Sequence, residues 1–150
     1  SRTAIELGMN NRLDTLQAAI LLAKLPHLST ERRHRDRLAV RYDARLADLV
    51  ETAPRDDGCD SAWALYTVRS PHREAIRQTL GDRRIAAAVY YHAPVHLHPA
   101  YQEFGDGPGS LPVSERLAAR VLSLPLTAEM SEAQADRVAE AVGEALARAG

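Results

Sequence analysis

The stretch Gly8–Leu21, which reads GMNNRLDTLQAAIL, decides the fold because it predicts where the first helix begins and which face it buries. Asn11 is a suitable helix cap, and Asp14 then stands at the third helical position, where a carboxylate suits the exposed amides and the positive dipole end. Pro26 predicts the end of this helix. The apolar side chains that recur on one helical face are Leu13, Leu16 and Ile20.

The turn Gly8–Arg12 at the start of this helix contains a flexible glycine, two asparagine amides and a guanidinium group. Free backbone amides and the helix dipole make a helix N-terminus suitable for binding phosphate. Many capped helix starts have the same composition, however. The residues alone therefore favour an ordinary helix cap over an anion site.

Outward from this stretch, the pattern predicts helices and short strands in turn. The second helix restarts at Ser29 or Thr30 and runs to about Val50. Its predicted buried face consists of Leu38, Tyr42, Leu46 and Leu49. The remaining predicted elements are a loop over 51–60, a strand over 63–68, a helix over 71–80 stopped by Gly81, a strand over 85–91, a loop over 92–109, a helix from Pro112 to about Ala119, a strand over 122–125, and a helix with a capping box of Ser131 and Gln134.

This order of elements predicts an α+β fold, in which helices pack on a short sheet. With 150 residues, of which 45% are apolar, the chain is long enough to bury one hydrophobic core. Its net charge of −1 makes nucleic acid and anionic membranes poor default partners. No window approaches the roughly 18 apolar residues of a membrane span. The N-terminus does not resemble a signal peptide, so we expect a cytoplasmic protein.

The segment Tyr90–Tyr101 is the most distinctive one for chemistry, because three histidines and three tyrosines crowd a proline-braced loop after a predicted strand. His92, His96 and His98 are possible metal ligands. Their spacing matches no standard zinc signature, and no cysteine lies nearby, so we expect no metal site. The residues alone favour ordinary structural histidines, with a substrate-contacting histidine as the alternative.

Lys24 is the only lysine among the 19 cationic residues, so Schiff-base chemistry has one candidate in this chain. Its predicted position is a helix surface, which offers no pocket for a cofactor ring. We therefore expect Lys24 to be a solvated side chain.

Five segments of the sequence, taken together, resemble the DegT/DnrJ family of nucleotide-sugar aminotransferases. They are Gly8–Leu21, like the family's G-x-N-x-R-L-D-x-L-Q-A-A-I-L; Trp63–Arg69; Tyr90–Tyr101, like its Y-Y-x-x-P-x-H-x-x-P-x-Y loop; Leu111–Arg116; and Leu122–Leu126. They occur in the family's order and cover nearly the whole chain.

The resemblance implies the aspartate aminotransferase fold of type I pyridoxal-phosphate (PLP) enzymes, of which this chain is the C-terminal part. Residues 1–27 would end the large-domain region, residues 28–50 would form a connecting helix, and residues 51–150 would form the small domain. In the family the Schiff-base lysine lies upstream of the matched segments. We therefore expect the chain alone to be inactive, and the complete protein to move an amino group from an amino acid, glutamate being expected, to a keto-sugar nucleotide.

The resemblance also assigns site residues. Asn10 matches an asparagine that reaches the PLP phosphate of the neighbouring subunit, which implies a homodimer with shared active sites. Arg12 either assists at the same phosphate or braces the helix start. His96 matches a histidine on the substrate side of the cleft, and Tyr91 lies beside it. The alternative function is a non-catalytic dimerisation or regulatory remnant of the same fold.

Three departures from the family pattern put the sugar specificity in doubt. His92 replaces a frequent proline, and Arg84 replaces a common glycine. The loop over residues 51–60 looks short.

Overall fold

Asp14 begins the first helix of the computed structural model, which describes residues 13–150. The Asp14 carboxylate accepts hydrogen bonds from the backbone N–H groups of Leu16 at 2.8 Å and Gln17 at 3.3 Å. Helix α1 therefore spans Thr15–Lys24, with Asp14 as its cap rather than as its third residue. The predicted cap Asn11 lies outside the described residues.

Pro26 shapes the junction between the first two helices. It lies in a 3₁₀ turn, Leu25–His27, and helix α2 follows at once as Leu28–Leu46. Proline cannot donate a backbone hydrogen bond, so it interrupts the α-helical pattern for one turn without reversing the chain. The predicted break at Pro26 is confirmed, although α2 begins at Leu28 rather than at Ser29 or Thr30.

Helix α2 buries its C-terminal half in the core. Its buried side chains are Leu38, Ala39, Tyr42 and Leu46. Leu49 was predicted on the same face, but α2 ends before it and its side chain is 40% exposed. The error arose because the helical spacing was extended through residues 47–49, which form a turn.

Two strands form an antiparallel pair at the centre of the fold. They are β1, Tyr66–Arg69, and β2, Val121–Leu124, with Thr67 opposite Ser123. The predicted start of the first strand at Trp63 is wrong, because Trp63 has a φ of 49°, in the left-handed region. The second of these strands lies one residue earlier than predicted.

The predicted strand over 85–91 is reduced to a single bridge, between Ala88 and Ser123. The Ala88 N–H donates to Ser123 O at 3.0 Å, and the Ser123 N–H donates to Ala88 O at 2.7 Å. Residues 86–88 are alanines, which have little side-chain surface to pack on a sheet and are depleted in strands. The prediction of a full strand over 85–91 is therefore wrong.

Three further helices complete the described part of the chain: α3, Arg73–Asp82; α4, Pro112–Arg120; and α5, Glu132–Ala149. The capping box at α5 is confirmed, since Ser131 N–H donates to Gln134 Oε1 at 2.8 Å and Gln134 N–H donates to Ser131 Oγ at 3.2 Å. Gly81 was predicted to stop α3, but it lies within the helix. The left-handed residue after the helix is Arg84, with a φ of 57°.

One hydrophobic cluster joins α2, α3, α5 and the strand pair. Helix α5 contributes a stripe of small side chains, Ala135, Val138, Ala139, Ala141, Val142 and Ala145. Two tyrosines tie the cluster to polar groups, as the Tyr42 hydroxyl donates to Pro125 O at 2.8 Å and the Tyr66 hydroxyl to Asp43 Oδ1 at 2.6 Å. Helices packed on a short sheet make an α+β fold, as predicted.

No helix among residues 13–150 has both the length and the hydrophobicity needed to cross a bilayer.

Leu46 and Leu49 provide a matched test of this packing. Leu46 is fully buried, so Leu46→Ala should lower the free energy of unfolding by about 2–5 kcal/mol. Leu49→Ala should cost less than half as much, because much of that side chain already contacts water. Urea denaturation of the two variants measures the difference. Equal losses would contradict the observed end of α2.

Candidate functional site

The loop between Tyr90 and Leu111 is ordered by prolines and short turns. It contains two 3₁₀ turns, Val95–Leu97 and Pro99–Phe104. Backbone hydrogen bonds close the turns, from Leu97 N–H to Pro94 O at 3.0 Å and from Tyr101 N–H to His98 O at 2.9 Å. Each proline fixes its own φ, which lowers the entropy lost when the loop is ordered. The predicted loop over 92–109 is confirmed as irregular chain that contains only short 3₁₀ turns.

Glu115 on the first turn of α4 fastens this loop to the helix. One of its carboxylate oxygens lies 3.1 Å from His96 Nε2. The Gly109 N–H donates to both oxygens, at 2.8 and 3.0 Å, and the Leu111 N–H donates to Oε1 at 3.3 Å. We call the group formed by Glu115, His96, Gly109 and Leu111 the Glu115 clasp.

The contacts of the clasp favour an ionised carboxylate. They hold the pKa of Glu115 below its ordinary value, first through the hydrogen bond with His96 and then through the N–H groups of Gly109 and Leu111. The His96 side chain is only 9% exposed, so this hydrogen-bond partner is well shielded from water.

Two glycines allow the loop to fold over His96. A Cβ atom at Gly105 would lie 3.2 Å from His96 Cβ, so the close approach of the two segments suits glycine. Gly109 has a φ of +89°, which places its N–H toward Glu115 in a conformation that other residues rarely adopt.

A cavity of about 860 Å³ lies beside the clasp. Its walls come from the loop, from α4 and from the start of β2. The lining residues are Tyr90, Tyr91, Ala93, Pro94, Val95, His98, Pro99, Tyr101, Ser114, Leu117, Ala118 and Val121. Apolar walls with a few hydroxyl and imidazole groups are typical of small-molecule sites, and this volume lies within their usual range.

The structure places the predicted site residues Tyr91 and His96 in different surroundings. Tyr91 lines the cavity, and the residue is 73% exposed. His96 is not among the lining residues and lies instead in the clasp. Asn10 and Arg12 lie outside the described residues, so their positions stay predictions.

His98 and Tyr101 line the cavity, although sequence reasoning did not select them as site residues. Both belong to the segment that the sequence singled out. Spacing along the chain could not show which histidine faces inward, because the 3₁₀ turn at Val95–Leu97 sets the direction of each side chain. Within residues 13–150, no three histidine, cysteine, aspartate or glutamate residues are grouped to hold a metal ion.

A second surface is formed by the exposed apolar face of α1. None of the side chains of α1 is buried. The face borders a groove of about 650 Å³, lined by Leu13, Ala18, Leu21, Leu22, Lys24, Leu25, Leu28, Glu31 and Arg35. Contiguous apolar surfaces are more common at interaction sites than elsewhere on a protein surface.

A model of the DegT/DnrJ/EryC1/StrS aminotransferase family matches residues 1–143. The chain belongs to this family. The predicted resemblance is therefore confirmed, and it includes the segments that build the clasp and the cavity.

Two curated relatives illustrate the similarity. The erythromycin biosynthesis sensory transduction protein EryC1 of Saccharopolyspora erythraea is 43% identical over 136 residues, covering 87% of this chain and 36% of the relative. The dTDP-3-amino-3,4,6-trideoxy-α-D-glucose transaminase of Streptomyces venezuelae is 42% identical over 142 residues, covering 91% of this chain and 37% of the relative. The chain thus spans little more than a third of the length of these family members.

A solved structure, S. venezuelae DesV in complex with a ketimine intermediate, matches 96% of this chain and 40% of its own chain. The TM-score is 0.86 at 39% sequence identity. This likeness confirms the predicted fold, that of a DegT-type aminotransferase.

The groove around Lys24, the one lysine of the chain, does not fit PLP. Lys24 is exposed at the edge of the leucine-lined groove. The other charged groups of that groove, Glu31 and Arg35, pair with each other at 3.8 Å. A mostly apolar groove supplies no set of donors for a phosphate group.

The clasp predicts a specific response to pH. Because the folded-state pKa of Glu115 is lowered, its contribution to loop stability is present above the unfolded value of about 4.3 and is lost as the pH falls below it. The Gly109 amide resonance should therefore show an acid step with a midpoint below about 4.3 in an NMR titration.

Glu115→Gln should abolish this acid step, because a glutamine does not titrate. Glu103→Gln is the matched control: Glu103 is an exposed residue of the same loop and should leave the step unchanged. A midpoint at or above the ordinary glutamate value would contradict the clasp.

Proposed function

We propose that this chain supplies the substrate-facing part of a PLP-dependent aminotransferase that moves an amino group from an amino acid to a keto-sugar nucleotide. The observation that carries the proposal is the cavity beside the Glu115 clasp. It combines aromatic walls, which suit the faces of a sugar or base, with tyrosine hydroxyl and imidazole groups, which suit sugar hydroxyls. Glutamate is the proposed amino donor.

Family membership supports the reaction class. Aminotransferases of this family depend on PLP, and several relatives are named as transaminases of nucleotide-linked sugars. PLP supplies the electron sink in such reactions, while the protein binds and orients the reactants. Because Lys24 lies at an apolar groove that does not fit the cofactor, we propose that the Schiff-base lysine lies in a preceding segment of the complete protein and that this chain alone is inactive.

Tyr91 and His96 are the proposed substrate-binding residues. Tyr91 lies on the cavity wall with its ring packed edge-on against Tyr90, at 5.8 Å between the ring centres. His98 also lines the cavity, so we include it among the proposed substrate-binding residues. Asn10 and Arg12 are the proposed cofactor-binding residues, Asn10 through an amide donor to the phosphate.

The exposed face of α1 supports a homodimer with shared active sites. Leu16 and Leu22 are each at least 70% exposed. A partner subunit that covers this face would remove its apolar surface from water. Asn10 lies shortly before α1 in the sequence, and we propose that the partner that covers α1 also reaches Asn10. We also propose the division at residues 27 and 50 into a large-domain end, a connecting helix and a small domain.

The alternative is a non-catalytic dimerisation or regulatory role for the same fold. One observation favours it, since the relative EryC1 is named as a sensory transduction protein. The two functions differ in a simple respect, because only the enzyme requires a lysine placed to bind PLP in the complete protein.

The two half-reactions of the complete protein test the proposal. His96→Ala and Tyr91→Ala should slow amino transfer to the keto-sugar nucleotide at least tenfold, while cofactor binding and the glutamate half-reaction stay nearly unchanged. Asn10→Ala should instead weaken PLP binding roughly tenfold or more, because a hydrogen bond to a charged group is lost. The cofactor's absorbance follows both half-reactions in single-turnover experiments.

His92→Ala is the control for the loop variants, because His92 is exposed and is not among the residues that line the cavity. It should behave like the unaltered protein. A complete protein without any transfer to keto-sugar nucleotides would favour the regulatory role. Loss of PLP binding in the His96 variant would contradict the assignment of that residue to the substrate side.

A further inference from the structure

The C-terminal end of α3 holds Arg84 in a strained backbone conformation. The Ile85 N–H donates to Leu80 O at 2.8 Å, and the Arg84 N–H donates to Gly81 O at 2.9 Å. This pair of bonds forms a Schellman motif, in which the residue at the position of Arg84 takes a left-handed φ, here 57°. Glycine is the usual residue at this position, because a Cβ atom makes the conformation costly. Arg84 therefore occupies its position at a cost that glycine would avoid.

Arg84 lines a cavity of about 380 Å³ between the end of α3, the segment after β2 and the start of α5. Arg83 and Arg137 line it as well, and we call it the arginine cavity. The Arg83 guanidinium also pairs with Glu144 of α5. Strained backbone positions cluster at functional sites. The strain at Arg84 and the three arginines of the cavity are thus two separate signs of a site for an anion.

Helix α5 adds a further hydrogen-bond donor to the wall of the arginine cavity. Gln134 and Arg137 both line the cavity, and their spacing of three residues places them on the same side of the helix. Gln134 uses its side-chain oxygen in the capping box with Ser131, so its NH₂ group is the part that can donate to another partner. Gln134 also belongs to the first turn of α5, where the positive end of the helix dipole favours an anion.

Glu129 is the one carboxylate among the described residues that line the arginine cavity. The pKa of Glu129 lies below its ordinary value, because its own backbone N–H and the Thr127 hydroxyl donate to it. The charges of Lys24 and Arg35 act in the same direction. The negative charge of Glu129 is therefore stabilised by groups other than the three arginines, which stay available to a ligand.

We propose that the arginine cavity binds the phosphate group of a small anionic ligand. Guanidinium groups donate pairs of hydrogen bonds to phosphate oxygens, and a tetrahedral phosphate can face donors from α3 and α5 at once. A planar carboxylate has only two oxygens and would satisfy fewer of these donors. The arginine cavity is separate from the cavity beside the Glu115 clasp, because the two lie at opposite ends of β2. Val121 lines the cavity beside the clasp, and Pro125 lines the arginine cavity.

A titration of the chain with inorganic phosphate, followed in ¹H–¹⁵N NMR spectra at neutral pH and low ionic strength, tests the site. The amide resonances of Arg84, Ile85 and Gln134 should shift to saturation, while those of Tyr91 and His98 stay in place. Sodium chloride and sodium acetate at matched ionic strength should cause much smaller shifts. The proposal is overturned if chloride causes equal shifts, if acetate binds as tightly as phosphate, or if the shifts occur at Tyr91 and His98 instead.

Arg84→Gly removes the side chain and keeps the fold, because glycine suits the left-handed conformation. It should weaken phosphate binding roughly tenfold or more, since a hydrogen bond between charged groups is lost, and Arg137→Gln should act in the same direction. Arg77→Gln is the matched control that removes one positive charge from α3. Arg77 is exposed, pairs with Glu74 at 2.8 Å and is not among the residues that line the cavity. Unchanged phosphate affinity in Arg84→Gly, or an equal loss in Arg77→Gln, would contradict the proposed site.

Discussion

The backbone pairing of Ser123 holds both ends of the loop that forms the cavity. On one side Ser123 exchanges two hydrogen bonds with Ala88, just before the loop begins at Tyr90. On the other side it lies opposite Thr67 of β1, and the two side-chain oxygens are 2.8 Å apart. Helix α4, which closes the loop, runs directly into β2 at Val121. The cavity walls are thus attached to one central strand.

The Glu115 clasp holds the part of the loop that lies between the two ends held through Ser123. Ser123 fixes where the loop leaves and returns, and Glu115 fixes the path between those points by binding His96 and Gly109. Ser123 is buried, so the loss of one of its partners leaves the other unsatisfied, whereas the contacts of Glu115 with Gly109 and Leu111 lie at the surface. The wall of the cavity therefore depends on a few polar groups, while α2, α3 and α5 provide the hydrophobic support behind it.

The sequence predicted the fold class and family because local signals agreed along the chain. Ser131 and Gln134 form a capping box, which is a local signal for a helix start. The motif Gly8–Leu21 is long enough to be specific. The errors arose where tertiary contacts decide: Trp63 takes a left-handed φ, and the alanine-rich segment before Tyr90 pairs only once.

Tertiary contacts also decide the details of the candidate site, which the sequence therefore could not predict. The loop Tyr90–Tyr101 was identified from its composition, but its two key histidines have different surroundings. His96 binds Glu115, which follows it by 19 residues, and His98 faces the cavity. Nothing in the local sequence pairs His96 with Glu115, because the glycine-containing loop between them sets that contact. The roles of Asn10 and Arg12 follow from the resemblance alone.

The central claim is that the cavity between the loop and α4 binds the sugar portion of a nucleotide-linked substrate. A crystal structure of the complete protein with a nucleotide-linked amino sugar tests it most directly. We expect the sugar to lie in the cavity, in contact with Tyr91 and His98. A sugar bound elsewhere, with the cavity filled by another part of the protein, would contradict the account.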